Sequence, residues 1–367
     1  MNFDFSDDEK LIADQVERFL AANCEPVVVR RVLEGEEHYD AGVWQGLADM
    51  GLTGATIPED LGGVGAGYLS TCLVAEKLGA SLAPVPFSSS VYLASEALMG
   101  FASEAQQQAW LPKLATGETI GTLALVGTRE EVRPDNLGVR LEGGKLFGEK
   151  LIVPDADVAD VMVVLVESAD GLRLVLVEKD ATVRTETLDT VDPSRNLARV
   201  TFDGTAAELL GDARDAWADV GTVLNRAAVM LAFEQIGGAQ KALDMAVAYA
   251  KERFAFGRPI GSFQALKHMM ADMYVALRLA ESNCYYAAWA LSTNDAELPL
   301  AAATARVSAT QAYQLCARDN IQVHGGMGFT WEFDCHLHYR RSNYLTLVLG
   351  GLSDWEDRLV SSLPTAA

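Results

Sequence analysis

The sequence has few cysteines and few cations for its length. Five cysteines are scattered over 367 residues, and an odd number without regular spacing argues against a disulfide framework. Reduced cysteines, together with an acidic start that has no signal-peptide pattern, lead us to expect a cytoplasmic protein. Lysine and arginine total 29 against 51 acidic residues. The resulting net charge of −22 argues against nucleic acid or an anionic membrane surface as a partner.

Long apolar runs are also missing. No stretch reaches the roughly 18 consecutive apolar residues that read as a membrane span. Half of the residues are nevertheless hydrophobic, so the chain can bury a large core and form two or three domains. Its acidity does not exclude a polyanionic small ligand, because a basic pocket can be local.

The periodicity of the apolar residues divides the chain into three zones. Residues 1–117 are predicted to be a helical domain, in which a capping box at residues 6–9 begins the first helix. A later helix of this zone is expected to end ahead of Pro112. Residues 118–213 are predicted to form a β domain, and residues 214–367 a helical bundle.

The second and third zones carry clear local signals. Asp170 and Gly171 separate two apolar runs and predict a β-hairpin. In the third zone, long helical patterns cover residues 227–252, 263–291 and 300–323, and a fourth begins near Asp334. Four helices of this length predict a bundle.

Two motifs of the third zone indicate one chemistry. Residues 253–257, Arg-Phe-Ala-Phe-Gly, end a long apolar helix, and residues 322–328, Gln-Val-His-Gly-Gly-Met-Gly, end another. The guanidinium of Arg253 is a forked donor suited to a pyrophosphate, and glycines let backbone N–H groups approach phosphate oxygens. Alternatively, Arg253 only complements a helix dipole and Gly257 only ends the helix.

In motif order and spacing, the chain resembles the acyl-CoA dehydrogenase family over nearly its whole length. The resemblance rests on Ile57-Pro58-Glu59-x-x-Gly62-Gly63-x-Gly65, Asp192-Pro193-Ser194-Arg195, Val200-x-Phe202-Asp203-Gly204, Arg253-x-x-Phe256-Gly257-x-Pro259-Ile260-x-x-Phe263-Gln264 and Gln322-x-x-Gly325-Gly326-x-Gly328-Phe329-Thr330. It implies an N-terminal helical domain, a middle β-barrel-like domain and a C-terminal four-helix bundle. It also implies a tetramer with FAD that desaturates an acyl-CoA thioester at its α and β carbons and passes electrons to an acceptor.

The resemblance assigns the cofactor contacts. Arg253 would meet phosphate, and Phe256 and Gln264 would line the nucleotide. Gln322, Gly325 and Gly326 would approach the diphosphate of a neighbouring subunit's flavin.

The catalytic carboxylate of the family is missing at both of its usual positions. Relatives place the glutamate either in a Tyr-Glu-Gly turn near the end of the bundle or near the start of the first bundle helix. Counting without gaps from the glycine motifs, these positions fall on Leu349 and Ala227. Neither side chain can accept a proton.

The β domain departs from the family as well. Relatives carry Trp-Ile-Ser/Thr after a Gly-x-Lys, with the tryptophan against the flavin and the hydroxyl at its N5 edge. In that register Ile152 replaces the tryptophan and Pro154 the hydroxyl residue, and proline has no donor to offer. Residues 126–132 likewise replace the Thr-Glu-Pro…Gly-Ser-Asp loop of relatives.

These losses favour a subunit that holds the far end of a cofactor belonging to a non-identical partner, in an α2β2 assembly. This resembles the paired acyl-CoA dehydrogenase subunits of actinobacterial steroid side-chain degradation. One alternative is a non-catalytic binding or assembly protein with the same fold.

A third reading is a homotetramer that uses Glu234 as a displaced base, although pairing of Glu234 with a cation or amide inside the bundle is favoured. Arg226, Arg340 and Arg341 could contact CoA phosphates or a partner subunit, or they could be solvated or paired at an interface. His336 and His338 are two apart on a predicted helix and do not share a face, so no metal site is expected.

Overall fold

The structure is a computed structural model that describes residues 5–35, 37–127, 136–212 and 215–363. Backbone contacts group the chain into two compact units. The first comprises Met1–Val27, Tyr68–Ala83 and Ala228–Ala367, and the second comprises Val28–Gly67 and Pro84–Ala227. The three-domain division at residues 117 and 213 stays a prediction. Most of the 126–132 segment, from residue 128 onward, lies outside the described residues.

Eleven α-helices lie in the described parts of the chain. They are α1 Asp7–Asn23, α2 Pro26–Leu33, α3 Ala41–Asp49, α4 Gly67–Ala80, α5 Glu96–Phe101, α6 Glu104–Ala115, α7 Ala216–Glu252, α8 Gln264–Ser292, α9 Leu298–His324, α10 Cys335–Leu347 and α11 Leu352–Ser362. A π-helix covers Ser88–Ser95, and short 3₁₀ turns cover Leu52–Gly54, Glu59–Leu61, Ile260–Ser262 and Gly325–Phe329. None of the helices in the described ranges has the length and apolar character needed to cross a bilayer.

The second unit is built around one mixed eight-stranded sheet. Its strands are β1 Gly121–Ala124, β2 Val139–Glu142, β3 Lys145–Pro154, β4 Val161–Ser168, β5 Gly171–Glu178, β6 Val183–Thr187, β7 Leu197–Ala206 and β8 Glu208–Leu209. The order is β6-β7-β3-β2-β4-β5-β8, with β1 parallel to β4. The hairpin expected at Asp170 and Gly171 is confirmed, because β4 and β5 pair antiparallel with Ser168 opposite Gly171.

Two N-terminal expectations have opposite outcomes. The capping box is confirmed, since Ser6 Oγ accepts from Glu9 N at 3.3 Å and Glu9 Oε2 accepts from Ser6 N at 2.6 Å. The expected helix end ahead of Pro112 is wrong, because α6 continues to Ala115. Pro112 lacks only the N–H that would donate to the Gln108 carbonyl. Gln108 is exposed, so its carbonyl can hydrogen-bond to water instead, and the helix ends within its next turn.

In the first unit, α4 and α7 cross at glycines. A Cβ on Gly79 would lie 1.8 Å from the Glu234 carbonyl oxygen, and a Cβ on Gly237 would lie 1.9 Å from that of Glu76. Only glycine permits this reciprocal backbone contact. The next residue, Gly238, leaves room for the ring of Tyr313 on α9 in the same way.

Helices α8 and α9 are antiparallel neighbours joined by a short connection at residues 293–297. Cys316 Sγ, near the end of α9, lies 3.7 Å from the Met273 carbonyl oxygen, near the start of α8. The predicted fold class, with N-terminal helices, a central β-sheet and a C-terminal helical bundle, is confirmed.

Candidate functional site

The connection between α7 and α8 is a tight hairpin that projects one aromatic ring. Strands β9 (Phe254–Ala255) and β10 (Arg258–Pro259) pair antiparallel, with Phe256 and Gly257 as the two turn residues. Both turn residues have positive φ, 55° and 77°. A left-handed phenylalanine is strained by about 1–2 kcal/mol, and its side chain is 95% exposed. Backbone strain that leaves an apolar ring in solvent is a reason to test the hairpin as a binding site.

The ring has an ordered platform beneath it. Phe256 meets the edge of Phe263 with ring centroids 6.2 Å apart, and the Arg258 guanidinium lies 4.1 Å from the Phe263 centroid. Gln264 follows directly as the first residue of α8, and it is exposed. Arg253 is exposed as well, and its carbonyl accepts from Ile260 N at 2.8 Å, which closes the hairpin.

The second motif forms an open glycine corner after α9. Gly325 has φ 60° and ψ −139°, a conformation that only glycine adopts readily, and its N–H donates to the Gln322 carbonyl. A Cβ added to Gly325 or to Gly326 would meet nothing within 4 Å. The backbone here faces free space, and Gln322 beside it is exposed.

Packing brings the two motifs to the same end of the bundle. Because α8 and α9 are antiparallel, the start of α8 and the end of α9 coincide. The rings of Tyr249 on α7 and His324 on α9 stack with centroids 4.1 Å apart, so α7 also ends there. Together the six expected cofactor residues offer a cation, an exposed phenyl ring, two amides and two open glycines. We call this group the candidate cofactor site (Arg253, Phe256, Gln264, Gln322, Gly325, Gly326).

The two expected base positions are apolar in the structure as well. Ala227 is completely buried within α7. Leu349 stands in a turn after α10 with φ 66°, and its carbonyl accepts from Trp355 Nε1 at 3.1 Å. Asp354 Oδ2 accepts from Gly351 N at 2.8 Å, so it caps α11. Asp354, Glu356 and Asp357 thus lie within α11, where Glu356 and Asp357 are exposed to solvent.

Glu234 has an internal partner. Its Oε1 lies 3.8 Å from Nη1 of Arg341, and Arg341 Nη2 donates to the Leu82 carbonyl at 3.1 Å. Arg226, in the other unit, pairs with the buried Glu96 at 3.2 Å. The sequence left Arg226 and Arg341 as ligand or partner contacts or as solvated or interface groups, and the structure instead places both in internal ion pairs.

A second buried arginine supports the Leu349 turn. Arg306 on α9 donates to the carbonyls of Leu345 and of Val348, the latter at 2.8 Å, and to Thr310 Oγ1 at 3.1 Å. Burial lowers the pKa of Arg306 to about 9, and the charge of Glu234 opposes that shift. The guanidinium therefore stays charged at neutral pH and neutralises the carboxyl end of α10.

In the β domain, neither expected flavin neighbour has a side-chain hydrogen-bond donor. Ile152 forms an isolated antiparallel β-bridge with Val126. The Pro154 carbonyl accepts a hydrogen bond from Thr122 Oγ1 at 2.6 Å. Lys150 is fully buried, and its Nζ donates to the carbonyls of Leu125 at 3.0 Å and Leu137 at 2.7 Å. Burial lowers the pKa of Lys150 to about 7.

The N-terminal helices, the mixed sheet and the C-terminal helical bundle have the architecture of a flavin-dependent dehydrogenase, and the candidate cofactor site lies at one end of that bundle. The chain belongs to the acyl-CoA dehydrogenase family. Profiles of the acyl-CoA dehydrogenase N-terminal and C-terminal domains match residues 6–118 and 216–355. This family consists of FAD-dependent oxidoreductases, and the candidate cofactor site fits such a group, since its exposed ring and open glycines face free space.

Relatives and solved structures agree with this assignment. Acyl-CoA dehydrogenase IpdE2 of Mycobacterium tuberculosis is 33% identical over 338 residues, which cover 92% of this chain and 91% of the relative. Acyl-CoA dehydrogenase FadE27 of the same organism is 31% identical over 96% of this chain and 95% of its own length. A chain of the ChsE4–ChsE5 complex from M. tuberculosis superposes with a TM-score of 0.90 at 28% identity, with both chains fully covered. The predicted family resemblance is confirmed.

Sequence reasoning missed the buried groups that support these positions. Arg306 lies in an alanine-rich run, residues 301–309, and that apolar setting was the available sign of its burial. Lys150 is the lysine of the Gly-x-Lys sequence, but its burial and its hydrogen bonds to the Leu125 and Leu137 carbonyls were not predicted. Tyr249 and His324 gave no signal, because their contact joins residues 75 positions apart in different helices.

Proposed function

We propose that this chain is the non-catalytic subunit of an FAD-dependent acyl-CoA dehydrogenase and holds the nucleotide end of an FAD whose ring lies in a homologous, non-identical partner. The observation that carries the proposal is a contrast within one chain. The candidate cofactor site contains a cation, an exposed phenyl ring, two amides and two open glycines. In contrast, Ala227 and Leu349, at the two positions where relatives place the base, carry aliphatic side chains.

Different groups of the site would bind different parts of the nucleotide. Arg253 would give the diphosphate a charge-assisted donor, and Gly325 and Gly326 would let it come close to the backbone. Phe256 would contact an apolar part of the nucleotide, and the amides of Gln264 and Gln322 would hydrogen-bond to its polar groups. When bound, FAD supplies the oxidising equivalent for desaturation of the thioester; the carboxylate that takes the α proton comes from the partner.

Two structural relatives support a paired assembly. One is a complex of ChsE4 with ChsE5, and another is the Tcur3481–Tcur3483 steroid acyl-CoA dehydrogenase variant, with a TM-score of 0.86 at 27% identity. By analogy we propose an α2β2 assembly acting on a steroid-derived or other lipid acyl-CoA. The electron acceptor and the cytoplasmic location remain predictions.

The ion pair of Glu234 bears on the homotetramer alternative. The Glu234 carboxylate is almost fully buried and pairs with the guanidinium of Arg341. A catalytic base must instead reach a carbon of the substrate. This geometry favours the paired assembly over a homotetramer that uses Glu234.

The decisive experiment compares three preparations: this chain, the homologous product of an adjacent gene, and the two produced together. FAD content and bleaching of the flavin by acyl-CoA are measured for each. We expect full FAD content and bleaching only in the mixture. A lone chain that retains FAD and is bleached would refute the proposal, and a mixture that binds FAD without bleaching would favour the binding or assembly alternative.

A matched pair of variants tests the site within that mixture. Arg253→Gln removes the expected phosphate contact, whereas Arg184→Gln removes an exposed arginine of β6 that does not belong to the candidate cofactor site. We expect Arg253→Gln to weaken FAD binding roughly tenfold or more, as loss of a charge-assisted hydrogen bond does. Equal FAD affinity in both variants would exclude Arg253 from the site.

A further inference from the structure

The two motifs of the candidate cofactor site are joined by an aromatic contact between the half-buried Tyr249 and the buried His324. The Tyr249 and His324 rings are nearly parallel, with an interplanar angle of 21° and centroids 4.1 Å apart. Phe333 presents its edge to both rings, at 5.7 Å from His324 and 6.0 Å from Tyr249. We call these three residues the aromatic brace (Tyr249, His324, Phe333).

Each stacked residue is directly connected to one half of the site. The Tyr249 carbonyl accepts from Arg253 N at 2.8 Å, so it fixes the last turn before the phosphate-binding arginine. His324 is the last residue of α9 and precedes Gly325. A shift of either ring therefore moves one half of the site relative to the other.

The histidine ring is held in one orientation. Its Nδ1 lies 2.9 Å from the Asn320 carbonyl oxygen, an acceptor, so Nδ1 carries the hydrogen. His324 is 6% exposed, and burial lowers its pKa, opposed by the Asn320 hydrogen bond. A neutral, oriented ring packs on Tyr249 as a flat aromatic surface.

We propose that the aromatic brace sets the distance between Arg253 and the Gly325–Gly326 corner, and that His324 is a positioning residue for a dinucleotide diphosphate. This inference rests on the proposed function. A rigid diphosphate that must contact both halves binds well only if their spacing is fixed beforehand, because otherwise binding has to order them. The ring surface of His324 performs this role, and its basicity does not.

The test uses the assembled complex with FAD as the probe. His324→Ala removes the stack, whereas His324→Phe keeps a flat ring of similar size. The dissociation constant of FAD is measured by titration of the apo complex, alongside the melting temperature without FAD. We expect His324→Ala to weaken FAD binding about tenfold, the scale of a lost aromatic pair, and His324→Phe to stay within about threefold of wild type.

The outcomes separate the two levels of the proposal. Equal FAD affinity in wild type and His324→Ala, or equal weakening in His324→Ala and His324→Phe, would overturn the positioning role. A wild-type complex that binds no FAD would overturn the proposed function itself. If His324→Ala does not assemble, Tyr249→Leu removes the same stack from the other side, with Tyr249→Phe as its conservative control, and the same FAD affinities decide.

Discussion

Glu234 and Arg341 form an ion pair in which Glu234 Oε1 lies 3.8 Å from Arg341 Nη1. The side chain of Glu234 is only 3% exposed and that of Arg341 only 1%. Arg306 is also fully buried, and the negative charge of the Glu234 carboxylate stabilises its charged guanidinium. Both arginines donate to carbonyls at helix ends, Leu82 after α4 and Val348 after α10. One carboxylate thus lies between two cations that close two helices, an arrangement suited to holding the bundle together.

Glu234→Gln should therefore destabilise the protein more than it affects chemistry. Removing one partner of a buried charge group leaves cations uncompensated and costs about 3–5 kcal/mol. Chemical denaturation of the chain measures this loss. As a control, Glu234→Leu combined with Arg341→Met should recover part of the stability. A Glu234→Gln variant of unchanged stability whose complex loses turnover would instead identify Glu234 as a base.

The glycine crossing of α4 and α7 predicts a strong steric effect. Gly237→Ala places a methyl group 1.9 Å from the Glu76 carbonyl oxygen, and the helices must separate, which costs at least about 1–3 kcal/mol. Gly221→Ala is the control on the same helix, where an added Cβ meets nothing within 4 Å. We expect Gly221→Ala to raise stability by up to about 1 kcal/mol, and thermal unfolding distinguishes the two. Similar melting temperatures would contradict the crossing.

Phe256 offers a trade between stability and binding. Asparagine tolerates the left-handed conformation better than phenylalanine, so Phe256→Asn should stabilise the hairpin by up to about 1 kcal/mol. The same change removes the exposed ring, and FAD affinity of the complex should fall. Melting temperature of the chain and FAD titration of the complex test both halves. A variant that binds FAD as tightly as wild type would remove Phe256 from the candidate cofactor site.

Lys150 predicts a pH-dependent stability. Its pKa falls from 10.5 to about 7 on folding, so between these values the unfolded chain binds the proton more tightly than the folded chain. The free energy of unfolding of wild type relative to Lys150→Met should therefore rise from pH 7 toward pH 10. Denaturation of both proteins across this range measures the difference. A difference independent of pH would mean that Lys150 is charged in the folded protein.

The fold was predictable from the sequence because its signals are periodic and local. Two apolar runs on either side of Asp170 and Gly171 predicted the hairpin, and long amphipathic patterns predicted α7, α8 and α9. The prediction at Pro112 was wrong because a proline near the end of a helix removes a single donor. The residues of the candidate cofactor site were identified from motifs, and their role in binding FAD stays a prediction.

The supporting contacts were not predictable, for a physical reason. Arg306 reaches the end of α10, and Tyr249 reaches His324, only after the helices pack. Such contacts depend on helix rotation and separation, which a linear pattern does not encode. Leu349 illustrates the same limit: its aliphatic side chain led to the hypothesis that the base is missing, but its left-handed backbone was found only in the structure.

The ring of Phe256 has a practical consequence for handling the subunit. An apolar side chain presented to water on a strained turn favours sticking to other apolar surfaces. We expect the isolated polypeptide to self-associate during purification. In the proposed paired assembly, synthesis together with the partner subunit should keep it dispersed, and the ratio of the two subunits in the cell should affect its yield.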